Sequence, residues 1–496
     1  MADERPRVVG LKRSLGVWGS FSMGYADVGA DYYIALGVVA LYAAALSPIA
    51  LALAAITYIC TALCYAELAS AHPVAGGAQV FSQRAFGDLH GFIAGWGLML
   101  DYTVCTAFFA LAAVGYLSIL VNKFFGIGFL SKNPYYAGTA ILIILGLMCL
   151  NILGIRESSR FNEIFVATDL ITVACVMLVG FLTVFSFQNW FSQIKWGENP
   201  TLIGFLHGYS LAVCSYIGIE SISQAAEETR RPARVIPKAT GIAIIAIVSV
   251  AVGMSTLAMG VINYRELILH SQAPVSRVAE ALPGIGSILA TWTAFTGFML
   301  CTVSTNTGVI GVSRVTYSMG RLQLMPDQFR KIHSKFRTPY VTIIIFSLVA
   351  CGLLLVAMAT PGLRPGALET GGVEEVGLLA AIADLYNFGA LIAYMYVNLS
   401  TIVLRIKEPY VYRPWKIPGN VKITRNGHTY ELPVIPIIGF TSCLVIWLLI
   451  VWLHRYARIL GPIWFAIGFA MYAIYRRKRG LPILPPTPKI FPEESG

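Results

Sequence analysis

The chain has 496 residues, of which 57% are hydrophobic and only 12% are charged, and its mean hydropathy is +0.70. This composition excludes the soluble globular classes and is typical of a helical protein that crosses a membrane several times. A net charge of +11 would be compatible with a nucleic-acid partner. The positions of the basic residues along the chain give a different explanation for this charge.

Twelve mostly apolar runs approach the roughly 20 residues that a membrane-spanning helix needs. They are centred near residues 27, 52, 105, 143, 173, 213, 250, 300, 347, 392, 443 and 467. If the N-terminus is cytoplasmic, 28 of the 36 Lys and Arg fall on the cytoplasmic side. This bias follows the positive-inside rule. The sequence therefore predicts a multi-pass protein of the cell membrane with both termini in the cytoplasm and no nucleic-acid partner.

The first run, residues 15–37, carries two carboxylates, Asp27 and Asp31, together with five glycines. An Asp at bilayer depth costs about 2.5–3.5 kcal/mol on insertion scales, so two of them indicate a function. Gly24 and Gly29 flank Asp27 and weaken the helix where the charges lie. We predict that this helix is interrupted there and opens a cation-accepting site.

The sixth run repeats this pattern, because Gly218 and Glu220 lie midway along residues 202–224. Two Gly-interrupted, acid-bearing helices in matching positions are typical of transporters built from two inverted halves. The predicted organisation is a cytoplasmic tail (1–11), two five-helix repeats (12–200 and 201–406), a cytoplasmic linker (407–432), two peripheral helices (433–476) and a cytoplasmic tail (477–496).

Carboxylates also stand inside the third and fifth predicted helices, as Asp101 and Asp169. Intramembrane acids usually face a bundle interior and serve a function. A structural role stays open for several of them. Asp27 and Asp31 could cap a half-helix, Asp101 could accept a hydrogen bond from a Tyr or Thr hydroxyl, and Glu220 could accept backbone N–H groups freed by the break.

No enzymatic motif stands out, since the sequence lacks a nucleophile elbow, a Walker loop and a His-rich zinc spacing. The nine cysteines lie in or beside apolar runs and are interpreted as packing residues. The histidines fall in loops or near helix ends, which gives little support for a histidine proton relay. Glu67 and Arg84 could form an inner gate or a solvated salt bridge.

Six short stretches, in this order between the predicted helices, resemble the amino acid–polyamine–organocation superfamily of transporters. They are ELASAHPVAGGA at 67–78 with RAFG at 84–87, GW at 95–96 with DY at 101–102, NILGIRES at 151–158, YIGIES at 216–221 with EETRRP at 227–232, SRVTYSMGR at 313–321 and RPWKIP at 413–418. The resemblance covers about residues 12 to 480. It implies a LeuT-like inverted-repeat fold and secondary transport, commonly of amino acids or amines.

The sequence departs from the family pattern in two places. Family members usually bind the substrate carboxylate at a Gly-Ser-Gly or Gly-Thr-Gly in helix 1, where this chain has Gly29-Ala30-Asp31. A carboxylate there would repel another by several kcal/mol at 4–6 Å, for an effective dielectric near 20. In one proton-coupled branch a lysine replaces a sodium ion at the position that matches Asp169. Asp27, Asp101-Tyr102 and Gly218-Ile219-Glu220 also resemble the potassium-importing branch of the superfamily.

We therefore predict an all-α membrane protein with twelve transmembrane helices, which acts as a secondary transporter of an amino acid or cationic amine and is not an enzyme. The alternatives are an importer of potassium or another inorganic cation coupled to protons, and a receptor or channel.

The predicted substrate site consists of Asp27, Gly29, Asp31, Tyr33, Asp101, Tyr102, Tyr216, Gly218 and Glu220. The predicted coupling site, for a proton or a sodium ion, consists of Val28, Asp169, Ser304 and Thr305. The expected partners are a small-molecule substrate and the lipid bilayer, with no cofactor besides the coupling ion and no metal besides an alkali-metal ion at the coupling site.

Overall fold

The computed structural model describes residues 15–74, 76–154, 159–336, 338–359, 374–425 and 428–484. The predicted tail 1–11 and most of the predicted tail 477–496 lie outside the described residues, as does the end of the stretch 151–158. The described residues are mainly helical, as the composition predicts.

The N-terminal part of the chain contains a first helix broken into two pieces, one very long helix and several shorter ones. In chain order these are α1 (Val17–Val28), α2 (Tyr32–Ala43), α3 (Ser47–Ala71), α4 (Ala78–Phe86), α5 (Asp88–Phe125), α6 (Tyr135–Leu153), α7 (Ser159–Thr183) and α8 (Phe187–Ser192). Helix α3 begins at Ser47-Pro48, where the fixed φ of proline suits a first helical turn. Helix α5 ends at Gly126, whose φ of 70° is left-handed.

The next part again begins with a broken helix. Its helices are α9 (Leu202–Ala212), α10 (Glu220–Gln224), α11 (Pro232–Val261), α12 (Tyr264–Leu269), α13 (Pro274–Glu280), α14 (Gly286–Arg321), α15 (Tyr340–Ala359) and α16 (Glu374–Lys407). The interruptions predicted in the first and sixth spans are therefore confirmed.

A β-hairpin follows α16, inside the stretch that the sequence analysis treats as a plain linker. Strands β1 (Asn420–Arg425) and β2 (His428–Pro433) are antiparallel, with Asn420 opposite Pro433. Helices α17 (Val434–Leu453) and α18 (Arg455–Lys478) come next.

Ten helical segments in the described part of the chain are long and apolar enough to cross a membrane. The first of these segments, Val17–Ala71, contains α1, α2 and α3, and α15 contributes a shorter apolar stretch, Tyr340–Val356. The protein is thus a multi-pass membrane protein, while the count of twelve spans stays a prediction.

The helices divide into an inner and an outer set. Most residues of α1–α3 and α5 are buried, and α5 packs against α14 and α16, whereas only about a fifth of the residues of α6 and α18 are buried. Exposed side chains such as Leu142 and Leu182 are apolar, as expected for helix faces that contact lipid. The breaks in the first and sixth spans therefore lie inside the protein.

Two ion pairs connect the ends of these helices, but they do not join Glu67 to Arg84. Buried Glu67 binds Arg405 through two hydrogen bonds of 2.7 and 2.5 Å, whereas Arg84 binds Glu408 at 2.7 Å. The predicted Glu67–Arg84 gate is wrong, because α16 supplies each residue with a different partner.

Candidate functional site

The break in the first helix is a turn of three residues between α1 and α2. The amide of Gly29 donates to the carbonyl of Tyr25 at 2.5 Å, and the amide of Asp31 donates to that of Val28 at 3.1 Å. Both residues have right-handed helical dihedral angles. These two amides are thus already satisfied within the helix and are not open for a substrate carboxylate.

The break in the sixth span is more pronounced. A short 3-10 turn follows α9, Ile217 is extended, and Gly218 has a φ of 119°. A Cβ on Gly218 would lie only 2.8 Å from Cγ of Asp27. Both the dihedral angle and this close approach require glycine. The Gly218 amide donates to the Tyr394 hydroxyl at 3.1 Å, so α16 stabilises the break.

Asp27 lies where the two broken helices meet. Its carboxylate accepts a hydrogen bond from the Ser221 hydroxyl in α10, and its side chain packs against Gly218. Asp27 is 1% exposed. The carboxylate of Asp27 therefore connects α1 with α10.

Asp101 from α5 and Glu220 from α10 bring two more carboxyl groups together. The Tyr394 hydroxyl donates to one oxygen of Glu220 at 3.0 Å. The carboxyl group of Asp31 approaches the backbone N–H of Ile217, yet neither of its oxygens completes a hydrogen bond of standard geometry. Four buried acids thus surround the two breaks.

Five buried carboxylate oxygens in this cluster accept no hydrogen bond of standard geometry from an N–H or hydroxyl group: both of Asp31, both of Asp101 and Oε1 of Glu220, although Asp101 and Glu220 lie close enough to share a proton. Among the described residues, no salt bridge involves any of the four acids. A buried charged oxygen without a donor costs upwards of about 1–3 kcal/mol. A cation or protons would remove this cost. We call Asp27, Asp31, Asp101 and Glu220 the carboxylate cluster.

The three tyrosines predicted to bind substrate lie in different surroundings. Tyr102 accepts a hydrogen bond from Gln224 at 2.5 Å and stays beside the carboxylate cluster. Tyr216 donates to the carbonyl of Leu51 at 3.0 Å. Tyr33 instead donates to Asp169 at 2.5 Å. Only Tyr102 therefore combines a position beside the acids with a side-chain partner in α10.

Asp169 is the centre of a second buried site. Its carboxylate accepts hydrogen bonds from the hydroxyls of Tyr25 (2.9 Å), Tyr32 (3.2 Å) and Tyr33 (2.5 Å). Tyr25 belongs to α1, whereas Tyr32 and Tyr33 belong to α2. Asp169 therefore connects the two pieces of the broken first helix.

The predicted grouping of Asp169 with Val28, Ser304 and Thr305 is not what the described hydrogen bonds show. The Val28 carbonyl accepts from Asp31 within the turn. The hydroxyl of Ser304 donates to the carbonyl of Ala26 at 2.6 Å, and that of Thr305 donates to Cys301 in its own helix. The described hydrogen bonds of Asp169 go to three tyrosines and to none of these groups, and their role as ion ligands stays a prediction.

Sequence reasoning missed Tyr394, Ser221, Gln224 and Tyr25. Ser221 and Gln224 follow Glu220 within one turn, so the break itself could have indicated them. Tyr394 lies in a long apolar run far from the acids in sequence, and no local pattern distinguishes it.

Comparison with known sequences gives a match over nearly the whole chain. Residues 15–473 match the family described as amino acid permease. A branched-chain amino acid permease of Bacillus subtilis is 28% identical over 490 residues, covering 94% of each chain. A methylthioribose transporter of the same organism is 26% identical and covers 85% of this chain and 83% of its own. The mouse cationic amino acid transporter 4 is 26% identical and covers 82% of this chain and 62% of its own.

Among solved structures, a mutant of the manganese transporter of Eremococcus coleocola is similar. Its TM-score is 0.56, with 14% identity and 97% of both chains covered. At this identity the likeness concerns the fold alone.

Proposed function

This chain belongs to the amino acid permease family and is a secondary transporter, and we propose that its substrate is an amino acid or amine with a positive charge, bound at the carboxylate cluster. The observation that carries the proposal is the set of five buried carboxylate oxygens without a hydrogen-bond donor. An ammonium group offers three donors and a positive charge. Its binding would satisfy several of these oxygens at once.

The residues at the break in the first helix favour a substrate that the protein recognises through a positively charged group. Asp31 stands where family members usually bind a carboxylate, and the amides of Gly29 and Asp31 are already bonded. Any α-amino acid would place its own carboxylate near that of Asp31, whereas an amine or polyamine carries only positive groups, and a cationic amino acid carries a second positive group that offsets the repulsion. The relatives' names do not choose between the substrate classes, since the mouse protein is named a cationic amino acid transporter and the Bacillus subtilis protein a branched-chain amino acid permease.

The cluster also offers a route to alternating access. Its members come from both broken helices and from α5, so a bound cation would draw α1, α5 and α10 together. A ligand shifts a conformational equilibrium only as far as it binds one state better. A state in which the acids converge is favoured by the cation and disfavoured without it.

A monovalent inorganic cation is the second candidate, because the unpartnered groups are all oxygens, the ligands that hard cations prefer. Uptake into proteoliposomes distinguishes the two. We expect labelled arginine or a polyamine to accumulate, and neutral amino acids and rubidium not to. Rubidium uptake without amine uptake would contradict the proposal, and so would uptake of neutral amino acids alone.

For the coupling ion we propose a proton carried by Asp169. As a carboxylate, Asp169 can accept from all three tyrosines; as a carboxylic acid it must also donate one hydrogen bond. Protonation therefore requires at least one tyrosine to rearrange. Because those tyrosines lie on both sides of the break, protonation would change how α1 and α2 are held together.

We expect Asp169→Asn to abolish accumulation driven by a pH gradient and to leave substrate exchange, because Asn keeps the shape but cannot take up the proton. Accumulation and counterflow of labelled substrate in proteoliposomes measure the two activities. Thr296→Val is a matched control, since Thr296 lies 3.2 Å from the Tyr33 hydroxyl but carries no ionisable group. If Asp169→Asn still accumulates substrate in response to a pH gradient, Asp169 does not couple transport to protons. If a sodium gradient alone drives accumulation, the coupling ion is sodium and not a proton.

We also propose that both termini face the cytoplasm, on the basis of the Lys and Arg distribution. In this topology α9 and the junction between α17 and α18 lie at the outer side of the membrane, and α10 lies at the inner side.

A further inference from the structure

Two histidines and an aspartate meet at the end of the helix bundle where α9, α16 and the junction of α17 with α18 come together. Asp384 is hydrogen-bonded to Nδ1 of His454. The rings of His207 and His454 pack edge to face with centroids 4.0 Å apart. One ligand atom from each residue lies within 4.8 Å of those of the other two. Asp384 is 2% exposed and His454 is 1% exposed.

His207 gives this cluster an unused ligand atom. Its Nε2 is buried and has no hydrogen-bond partner, and its ring stacks on Tyr42 with centroids 3.8 Å apart. A buried polar atom without a partner costs about 1–3 kcal/mol. The hydrogen bond between Asp384 and His454 does not involve Nε2 of His207 and therefore gives this nitrogen no partner.

A hydrolytic triad is the first alternative, because Oγ of Ser210 lies 2.6 Å from Nε2 of His454. The geometry does not favour it. The carbonyl of His207, 2.8 Å from the Ser210 hydroxyl, competes with His454 for the single hydroxyl proton, and Ser210 is fully buried, so a substrate would not reach its oxygen. A nucleophilic serine would instead give its proton to the histidine.

We propose that His207, Asp384 and His454 form a binding site for a divalent transition metal of the zinc type. Two imidazoles and a carboxylate are a set of protein ligands that zinc accepts, with a fourth position left for water. With bonds of about 2.0–2.2 Å, the ligands of a tetrahedral zinc lie roughly 3.4 Å apart. His207 must move closer to the other two ligands, which lie within 4.8 Å of it, whereas Asp384 and His454, now in direct hydrogen-bond contact, must separate slightly as the metal takes the place of the proton between them.

Metal binding here would restrain transport. The ligands belong to α9, which is one piece of the broken sixth span, to α16, and to the junction of α17 with α18. Alternating access requires elements around the site to move relative to one another. A metal that holds α9 to α16 and α18 would oppose this movement, so the metal would act as an inhibitor from the outer side.

The binding test uses the purified full-length protein, Zn²⁺ for stoichiometry and Co²⁺ for its visible absorption spectrum. We expect one bound metal per chain and the intense visible bands of tetrahedral Co²⁺. His207→Gln should weaken binding by more than about 100-fold, since even outer-shell changes at metal sites cost 10–100-fold. His207→Cys should restore binding with a thiolate-to-cobalt charge-transfer band.

The control for binding is His270→Gln, because His270 is an exposed histidine whose ring contacts the backbone carbonyl of Glu266 one turn earlier. This control should bind metal as the unmodified protein does. Equal metal binding by the unmodified protein and His207→Gln would overturn the proposal, as would no binding by the unmodified protein.

Transport gives an independent readout. Zn²⁺ added outside proteoliposomes should inhibit substrate exchange by the unmodified protein and by His270→Gln, and should not inhibit His207→Gln. Inhibition of all three alike would overturn the inhibitory role. The cobalt spectrum does not depend on the substrate, so a wrong substrate assignment would leave the metal-binding result intact.

Discussion

Asp101→Asn should reduce the uptake of a positively charged substrate by two to three orders of magnitude in kcat/KM. Both oxygens of Asp101 are buried and lack a donor, so a substrate cation would be their partner. A unit charge about 4 Å from a carboxylate gains ~4 kcal/mol at an effective dielectric near 20. Loss of most of this attraction corresponds to a factor of ~100 to 1,000, since 1.4 kcal/mol is tenfold. Initial rates of labelled arginine uptake in proteoliposomes measure it.

Cys105→Ser is the matched control for this prediction. Cys105 is one turn along α5, is equally buried, and contacts the carbonyl of Ser304, but it carries no carboxylate. It should retain uptake. Glu220→Gln is a second test from another helix and should give a loss comparable to that of Asp101→Asn. Near-normal uptake in both acid variants would show that the carboxylate cluster does not bind the substrate charge.

Arg405→Met should lower the stability of the protein by about 3–5 kcal/mol. The change leaves Glu67 buried and removes its two strongest hydrogen bonds, and breaking a buried pair on one side usually costs this much. The remaining contacts of Glu67 are the Ile417 amide at 2.8 Å and Arg413 at 3.7 Å. Thermal unfolding of the detergent-solubilised protein, followed by tryptophan fluorescence, measures the loss.

The double variant Glu67→Met/Arg405→Met should be more stable than Arg405→Met alone, because it removes the buried Glu67 carboxylate that Arg405→Met leaves with only the Ile417 amide and the more distant Arg413. Lys416→Met is the control. Lys416 lies 3.0 Å from Glu431 in a largely exposed pair, and its ammonium lowers the pKa of the Glu431 carboxyl. Exposed pairs contribute little to stability. If Arg405→Met and Lys416→Met unfold at the same temperature, the buried pair is not a stabilising element.

How much of this could be read in the sequence differs from element to element. The breaks near Gly29 and Gly218 were predictable, because acids and glycines inside apolar runs have a local cost that only a special structure offsets. The β-hairpin at 420–433 was missed although its sequence carries an Asn-Gly pair, a strong signal for a two-residue hairpin turn. The prolines and charges around it pointed to a linker instead.

The hydrogen-bond partners of the buried acids were harder to predict from the sequence. The companions assigned to Asp169 came from the family resemblance, whereas the structure supplies Tyr25, Tyr32 and Tyr33. Those tyrosines lie on both sides of the break, yet their spacing in the sequence does not indicate which of them face α7. The rotation of α7 against α1 and α2 decides that, and it depends on packing across the whole bundle.

The sequence by itself determined that this is a multi-pass helical membrane protein of the transporter class with two interrupted helices, where we propose the substrate binds. Hydrophobicity, acid placement and Lys/Arg distribution are properties of single segments, so a linear pattern carries them. Only the tertiary structure decided which side chains meet: Asp101 with Glu220, Glu67 with Arg405 instead of Arg84, and His207 with Asp384 and His454. These groups are up to 338 residues apart in the chain, and only the packing of helices distant in sequence brings them together.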